Sequence, residues 1–314
     1  MYEDVGNYSV LREFYLIAFT RYEHIQFFIF IGVLSVYLLC VLGNIFITVI
    51  VCLTSQLHTP MYFFLCNLMI LDITYVSAIL PKLLVLTITG DISISYPGCF
   101  AQIFFYVFCA GTEFFILASM AYDRYLAICI PFHYMLLMNK KTCLTLSASS
   151  FSIGVLNAML YPLLISKMSF NNFHEINHFF CHMKSILKLC YTEAAAIDLL
   201  ITVDGIVVGF SLLIFILISY IFIISAILKI QISSGRFKAF SGCSSHLTVV
   251  LLFCLTSLSL NIKTENELSQ EQDKILSMLY IAVVPLLNPI VYSLRNKDVL
   301  NAIEKNIFNN RLCL

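Results

Sequence analysis

The sequence predicts an all-α membrane protein: a bundle of seven transmembrane helices followed by a short amphipathic helix. Of its 314 residues, 60% are hydrophobic and 11% are charged, whereas soluble domains are about 45–50% apolar and about 25% charged. Seven apolar segments are long enough to cross a bilayer as helices, which takes about 20 residues. They are continuous rather than alternating, unlike the strands of a membrane β-barrel. The segments cover 27–53, 61–87, 99–130, 142–165, 196–228, 239–260 and 275–294.

The chain divides around these segments into an extracellular N-terminus (1–26), a seven-helix domain (27–294) and a cytoplasmic tail (295–314). No basic region precedes the first apolar segment, so we expect that segment to act as the signal anchor. Asn7 begins a glycosylation sequon, which is used only if the N-terminus is outside. Lys and Arg are denser on the side predicted to be cytoplasmic, and this bias agrees with that orientation.

The tail after the seventh segment has helical apolar spacing. Apolar residues recur at Val299, Leu300, Ile303, Ile307 and Phe308, which predicts an amphipathic helix on the inner membrane face. A frayed tail is the alternative. The zero net charge and the apolar composition exclude a nucleic-acid binder, a disordered chain and a disulfide-stapled miniprotein.

Ionisable residues inside the apolar segments are candidate functional groups, because burying a charge in a bilayer is costly. Asp72 and Glu113 fall near the bilayer centre, which suggests a shared proton or a bound Na⁺. The Asp123-Arg124 pair lies at the inner end of the third segment, where simple snorkelling is the alternative. Asp204 lies in the fifth segment.

Other polar and helix-breaking residues lie at similar depth. Asn44 and Asn288 add amide groups, and Pro285 and Pro289 interrupt the backbone bonding of the seventh segment. We therefore expect free carbonyl groups there that polar neighbours can satisfy.

Most of the twelve cysteines lie in apolar segments or at their ends, where a thiol usually acts as a small hydrophobic group. Cys99, Cys181 and Cys190 lie in loop-like sequence and are the candidates for a disulfide bond.

Five ordered motifs resemble those of vertebrate olfactory receptors, a branch of the rhodopsin-like G-protein-coupled receptors. They span about residues 40 to 300 in the expected order, and the absence of tryptophan also fits. The motifs are Gly43-Asn44, LHTPMYFFL at 57–65, MAYDRYLAIC at 120–129, KAFSGCSSHL at 238–247 and PLLNPIVYSLRN at 285–296.

The resemblance implies a plasma-membrane odorant receptor that binds small, mostly apolar ligands and activates a heterotrimeric, olfactory-type stimulatory G protein to raise cyclic AMP. The partners that it implies are the ligand, the G protein and membrane lipid, with no nucleic acid, and apart from a candidate sodium ion it implies no cofactor. It implies that Cys99 bonds Cys181. The residues it assigns to G-protein coupling and activation are Asp123, Arg124, Tyr125, Tyr220, Lys238, Asn288, Pro289 and Tyr292.

The same resemblance places a ligand pocket in the outer half of the bundle. Its implied wall comprises Tyr106, Val107, Ala110, Gly111, Asp204, Val208, Cys254, Met278 and Ile281.

The sequence departs from the family pattern at three of its residues. Cys254 replaces a tyrosine that often touches ligand. Asp204 stands where the family is normally uncharged, so it either selects an amine or hydrogen-bond donor or has no ligand role. Cys190 is displaced from its usual position and the first loop cysteine is absent, which predicts that Cys190 is free or packed.

Three other interpretations remain open. His174, His178, Cys181 and His182 offer ligand types for a Zn²⁺- or copper-sensing loop. A transporter could use the intramembrane acids, although no inverted repeat is visible. A chemosensory receptor outside the nose would share all five motifs. An enzyme is not expected, because no acid–base–nucleophile set can be identified.

Overall fold

The structure is a computed structural model that describes residues 13–19, 25–170, 174–190, 194–230, 236, 240, 243–244, 246–254, 256, 267–294 and 299–305. Within these residues, six helices are long and apolar enough to cross a bilayer. The helix at 246–254 falls in the sixth predicted segment. The prediction of a seven-helix membrane bundle with a C-terminal helix is therefore confirmed.

The helices are numbered in chain order, and two short ones (α4 and α6) lie in loops. They are α1 (Gln26–Leu53), α2 (Pro60–Thr89), α3 (Tyr96–Cys129), α4 (Tyr134–Leu137), α5 (Lys140–Ile165), α6 (Met183–Leu187), α7 (Ala194–Leu228), α8 (246–254), α9 (Glu267–Met278), α10 (Val284–Leu294) and α11 (299–305). A π-helical turn, Leu279–Val283, joins α9 to α10.

Local sequence explains where several helices begin and end. Ser95 precedes α3 and its hydroxyl accepts a hydrogen bond from the Gly98 N–H, while Asn139 caps α5 through the Thr142 N–H. α2 ends at Gly90, whose φ of 73° is a left-handed conformation that glycine adopts without steric cost. Apolar side chains that face outward, such as Leu42 and Ile221, are more than half exposed, as expected where lipid covers the surface.

α3 occupies the middle of the bundle and packs against α2, α5 and α7. It comes close to α5 at Gly154, where an added Cβ would meet the Thr112 side chain and lie 3.4 Å from the Phe108 carbonyl oxygen. α1 packs against α2 and α10, and Gly43 lets Pro289 come close to the α1 backbone.

A small sheet, which the sequence did not predict, covers one end of the bundle, here called the sheet end. Strand β1 (Glu13–Leu16) pairs antiparallel with β2 (Ser93–Ser95) and parallel with β3 (Glu175–Ile176). Phe14 and Leu16 of β1 are fully buried. The sequence contains no long alternating pattern here, so the segment before α1 was expected only to be extracellular.

The N-terminal segment is also tied to α9. The Lys274 ammonium group is buried, donates a hydrogen bond to the Ala18 carbonyl oxygen over 2.9 Å, and pairs with Glu271 over 3.0 Å. α9 begins eight residues earlier than the predicted segment. Its first two turns are polar, so a search for apolar residues detects only the part that crosses the membrane.

The C-terminal helix α11 has the predicted amphipathic character over its described residues. Val299 and Ala302 are buried, whereas Asn301, Glu304 and Lys305 are exposed. Ile307 and Phe308, which the sequence assigned to the same apolar face, lie outside the described residues.

Candidate functional site

A cavity of about 130 Å³ lies between α3, α5, α7 and the loop helix α6, near the sheet end. It is comparable in size to the engineered protein cavity of about 150 Å³ that binds benzene. Six of the nine residues predicted to line a pocket do so, namely Tyr106, Val107, Ala110, Gly111, Asp204 and Val208. Residues that the sequence did not indicate complete much of the wall, among them Phe114, Asn157, Tyr161, His182, Lys184 and Tyr280.

Three predicted pocket residues do not line this cavity. Cys254 and Ile281 are buried elsewhere in the packing, and Met278 is half-buried. Tyr280, within the π-helical turn, occupies the place expected of Met278 and Ile281. The rotation of a helix about its axis depends on its packing partners, so the sequence alone does not determine which side chains of this helix reach the cavity.

One wall of the cavity is polar and is built by α5 and α7. The Asn157 amide donates to Asp204 Oδ2 over 3.0 Å, and the Tyr161 hydroxyl donates to the same oxygen. Lys184 and His182 approach from the loop side. The remaining surface is largely apolar and aromatic, the usual composition of a small-molecule site.

The loop above the cavity is held by the Cys99–Cys181 disulfide, the pair that the family resemblance implies. The Cys181 N–H also donates to Gln102 Oε1 over 3.1 Å. Cys190 forms no disulfide within the described part of the chain. The bridge thus fixes the loop to the start of α3, directly above the cavity wall.

Two loop histidines, His178 and His182, stack with ring centroids 4.9 Å apart. Burial lowers the pKa of His178 well below its usual range, and His182 and Lys274 act in the same direction. Burial, with repulsion from Lys184 and Lys188, lowers the pKa of His182 to about 4. Both imidazoles are therefore neutral at pH 7.

The structure does not assemble the metal-sensing loop. Cys181 is used in the disulfide, and no group of three or more His, Cys, Asp or Glu side chains able to hold a metal ion occurs among the residues described. Neighbouring histidines in the sequence suggested a site, but the loop stacks two of the rings instead of converging their nitrogens.

Below the cavity lies a buried polar cluster in the middle of the bundle. Asn288 Nδ2 donates to both carboxylate oxygens of Asp72, at 3.1 and 2.9 Å. Asn44 Nδ2 donates to the Pro285 carbonyl oxygen over 3.1 Å, which is the kind of contact expected where prolines free a carbonyl group. Glu113 Oε1 is buried and has no hydrogen-bond partner in the part of the chain that the structure describes.

This cluster contains candidate ligands for a hard cation. Asp72 and Glu113 are both buried, and carboxylate oxygens are the kind of donor that suits such ions. A proton shared by the two carboxylates would equally relieve their repulsion.

At the far end of the bundle, opposite the sheet, Arg124 and Asp123 form an ion pair. Arg124 Nε lies 3.7 Å from Asp123 Oδ2, and the Tyr134 hydroxyl of α4 donates to Asp123 Oδ1 over 2.8 Å. Next to this pair, Tyr125 is half-buried and packs on Phe222.

A second contact at this end joins α7 to α8. The Tyr220 hydroxyl lies 2.6 Å from His246 Nδ1, and His246 Nε2 lies 3.1 Å from the Leu117 carbonyl oxygen of α3. Tyr292 is buried, and its hydroxyl has no partner in the described ranges. Lys238 and Asn7, also predicted site residues, lie outside the described residues.

The protein is a bundle of membrane-crossing helices. It has a small-molecule cavity near one end and an ion-paired arginine at the other, and this combination is typical of a seven-helix membrane receptor. Comparison with known proteins agrees with this class. The sequence profile described as "Olfactory receptor" matches residues 33–310. Olfactory receptor 5AR1 of Mus musculus is 41% identical over 304 residues, which cover 97% of this chain and 98% of that protein.

Other relatives agree. Olfactory receptor 13F1 of Homo sapiens is 41% identical over 305 residues (97% of this chain, 96% of the relative), and Olfactory receptor 5B21 of Homo sapiens is 42% identical over 299 residues (95% and 96%). The chain belongs to the olfactory receptor family. Its members are G-protein-coupled receptors and not enzymes, which also decides against a transporter.

Proposed function

We propose that this protein is an odorant receptor of the plasma membrane. Its sheet end and N-terminus face outside, where Asn7 can be glycosylated, and its far end and C-terminus face the cytoplasm. A small, mostly apolar ligand binds the cavity, and the receptor then activates an olfactory-type stimulatory G protein that raises cyclic AMP. The observation that carries this proposal is that one chain combines the cavity with the ion-paired Arg124 at the opposite end.

Ligand binding changes signalling only if the ligand binds the active arrangement better than the resting one. The cavity wall offers a direct mechanical link to α8. Phe253 of α8 packs on two cavity residues, with ring centroids 4.5 Å from Phe114 and 5.4 Å from Tyr280. A ligand that displaces either ring therefore acts on α8.

The movement of α8 has a natural consequence at the cytoplasmic end. His246 lies seven residues, about two turns, before Phe253 and so on the same helix face. Its hydrogen bonds to Tyr220 and to the Leu117 carbonyl oxygen hold α8 against α7 and α3. Displacing α8 breaks these bonds and opens the cleft beside Arg124, where a G protein can bind.

The surface next to Arg124 suits protein binding. The segment between α3 and α5 presents Phe132 at 99% exposure and Met135 of α4 at 80%. Arg124 becomes available to the same partner once its pairing with Asp123 is released.

The test is cyclic AMP production in cells that express an N-terminally tagged receptor and an olfactory-type G protein. Mixtures of small volatile compounds are applied after surface labelling of the tag. Arg124→Ala should reach the surface and lose the response. Lys140→Ala, which removes an exposed cation at the same end, should keep it. Full signalling by Arg124→Ala would overturn the proposal.

A further inference from the structure

The cavity contains one ionisable acid, Asp204, whose surroundings differ from those of an ordinary structural carboxylate. Its Oδ2 accepts two hydrogen bonds, from Asn157 and Tyr161 of α5. Its Oδ1 accepts none from any residue in the described ranges. Two neutral donors therefore hold one oxygen in place and leave the other available at the cavity wall.

No protein cation neutralises this carboxylate within the described residues. Lys184 borders the same cavity but makes no ion pair with Asp204, and His182 is neutral at pH 7 because of its lowered pKa. A carboxylate accepts hydrogen bonds and cannot donate them. A ligand group that binds this oxygen is therefore a donor, and a positive charge on it would add attraction inside the membrane's low-dielectric interior.

The rest of the cavity sets the size and character of such a ligand. Val107, Ala110 and Val208 give it apolar surface, and its volume of about 130 Å³ admits a molecule near the size of benzene. A larger molecule exceeds this volume, and a doubly charged cation is disfavoured because Lys184 places a positive charge at the loop side of the cavity.

We infer that the cavity selects small protonated monoamines, whose ammonium group donates to Asp204 Oδ1 while the hydrocarbon part packs against the apolar wall. Asn157 and Tyr161 are positioning residues, since they fix the carboxylate rather than touch the ligand. This inference rests on the proposed ligand-binding function and names its ligand class.

The experiment measures binding apart from signalling. Purified receptor in detergent is titrated with isobutylamine, isopentylamine and cyclohexylamine, and with the alcohol of each carbon skeleton, and thermal stabilisation gives the apparent Kd. We expect at least one amine to bind about tenfold or more tightly than its alcohol. Asp204→Asn, which can still accept from Asn157 and Tyr161, should weaken the amine about tenfold to a hundredfold and the alcohol about threefold at most.

Two further variants separate charge effects from damage to the fold. Asp198→Asn removes an exposed carboxylate from the same helix and should leave amine binding unchanged. Lys184→Gln removes the opposing cation and should tighten amine binding. Amine binding that Asp204→Asn leaves intact, amines that bind no better than their alcohols, or weaker amine binding in Lys184→Gln would each overturn the inference.

The cyclic AMP assay tests the signalling function separately from the ligand class. Asp204-dependent amine binding without any cyclic AMP response would support the ligand class and contradict the signalling role. A response to alcohols but not to amines would support the receptor role and overturn the ligand class.

Discussion

The contact between α3 and α5 at Gly154 allows a quantitative test of the packing. An alanine Cβ at this position would overlap Thr112 Oγ1, lie 3.3 Å from Thr112 Cβ and lie 3.4 Å from the Phe108 carbonyl oxygen. The Thr112 side chain is fully buried, so it has little room to move away from the added methyl group, and the Phe108 carbonyl oxygen already lies at van der Waals distance. Gly154→Ala should therefore push the two helices apart.

The magnitude follows from two opposing effects. Overpacking of a well-packed interior typically costs about 1–3 kcal/mol, whereas alanine is favoured over glycine within a helix by about 1 kcal/mol. Gly32→Ala in α1 is a matched control, because its Cβ would meet nothing within 4 Å. Both variants gain the same helix propensity, so the difference between their stabilities measures the cost of the contact between Gly154 and Thr112. We expect Gly154→Ala to be about 1–3 kcal/mol less stable than Gly32→Ala.

Thermal unfolding of the detergent-solubilised receptors, followed with a dye that reacts with newly exposed buried thiols such as Cys143, measures this difference. We expect the midpoint of Gly154→Ala to lie about 2–8 °C below that of Gly32→Ala. Adding Thr112→Ala to Gly154→Ala should restore much of the lost stability, because it removes the atom that the new methyl group overlaps. The change breaks no hydrogen bond, since Thr112 Oγ1 has no partner among the described residues. Equal midpoints for the two glycine variants would refute the close approach of α3 and α5.

Two further predictions concern ions and protons. If Na⁺ binds between Asp72 and Glu113, replacing NaCl by choline chloride should lower the stability of the receptor by about 1.4 kcal/mol when Na⁺ is at ten times its Kd. Asp72→Asn should abolish the difference, and no effect of Na⁺ on the wild-type protein would favour a shared proton. The second prediction is acid destabilisation through His182, whose pKa is about 4 in the fold against 6.5 ordinarily. Below pH 6.5 the unfolded chain binds more protons at this residue, so stability should fall as the pH drops from about 6.5 to 4. His182→Gln should flatten this part of the profile, and an unchanged slope would contradict the lowered pKa of this imidazole.

Much of the architecture could be predicted from the sequence, because the bilayer restricts which structures a chain can adopt. Continuous apolar segments must become helices in lipid, where each backbone polar group needs an internal partner. All the predicted segments coincide with helices, or for the sixth with the helical residues at 246–254. The contact of Asn44 with the Pro285 carbonyl oxygen was also foreseeable in kind, since proline within a helix frees a carbonyl group.

Features that depend on contacts between distant parts of the chain could not be predicted from the sequence. Strand β1 exists because two loops supply its neighbours, and its residues Phe14 and Leu16 are buried only through that pairing. The early start of α9 went unnoticed because its first turns are polar. Lys274 is buried there against Ala18, which lies more than two hundred residues away in the sequence.

The sequence by itself determined that this protein crosses the membrane as a helical bundle, and its motifs identified the family. It also singled out Asp204 as an unusual acid. Only the tertiary structure decided what surrounds that acid, because Asn157 and Tyr161 come from another helix and their contact depends on how α5 and α7 are rotated. The same dependence places Tyr280 rather than Ile281 at the cavity. Hydrophobicity fixes which segments enter the membrane, but side-chain packing between helices fixes which face of each one meets a ligand.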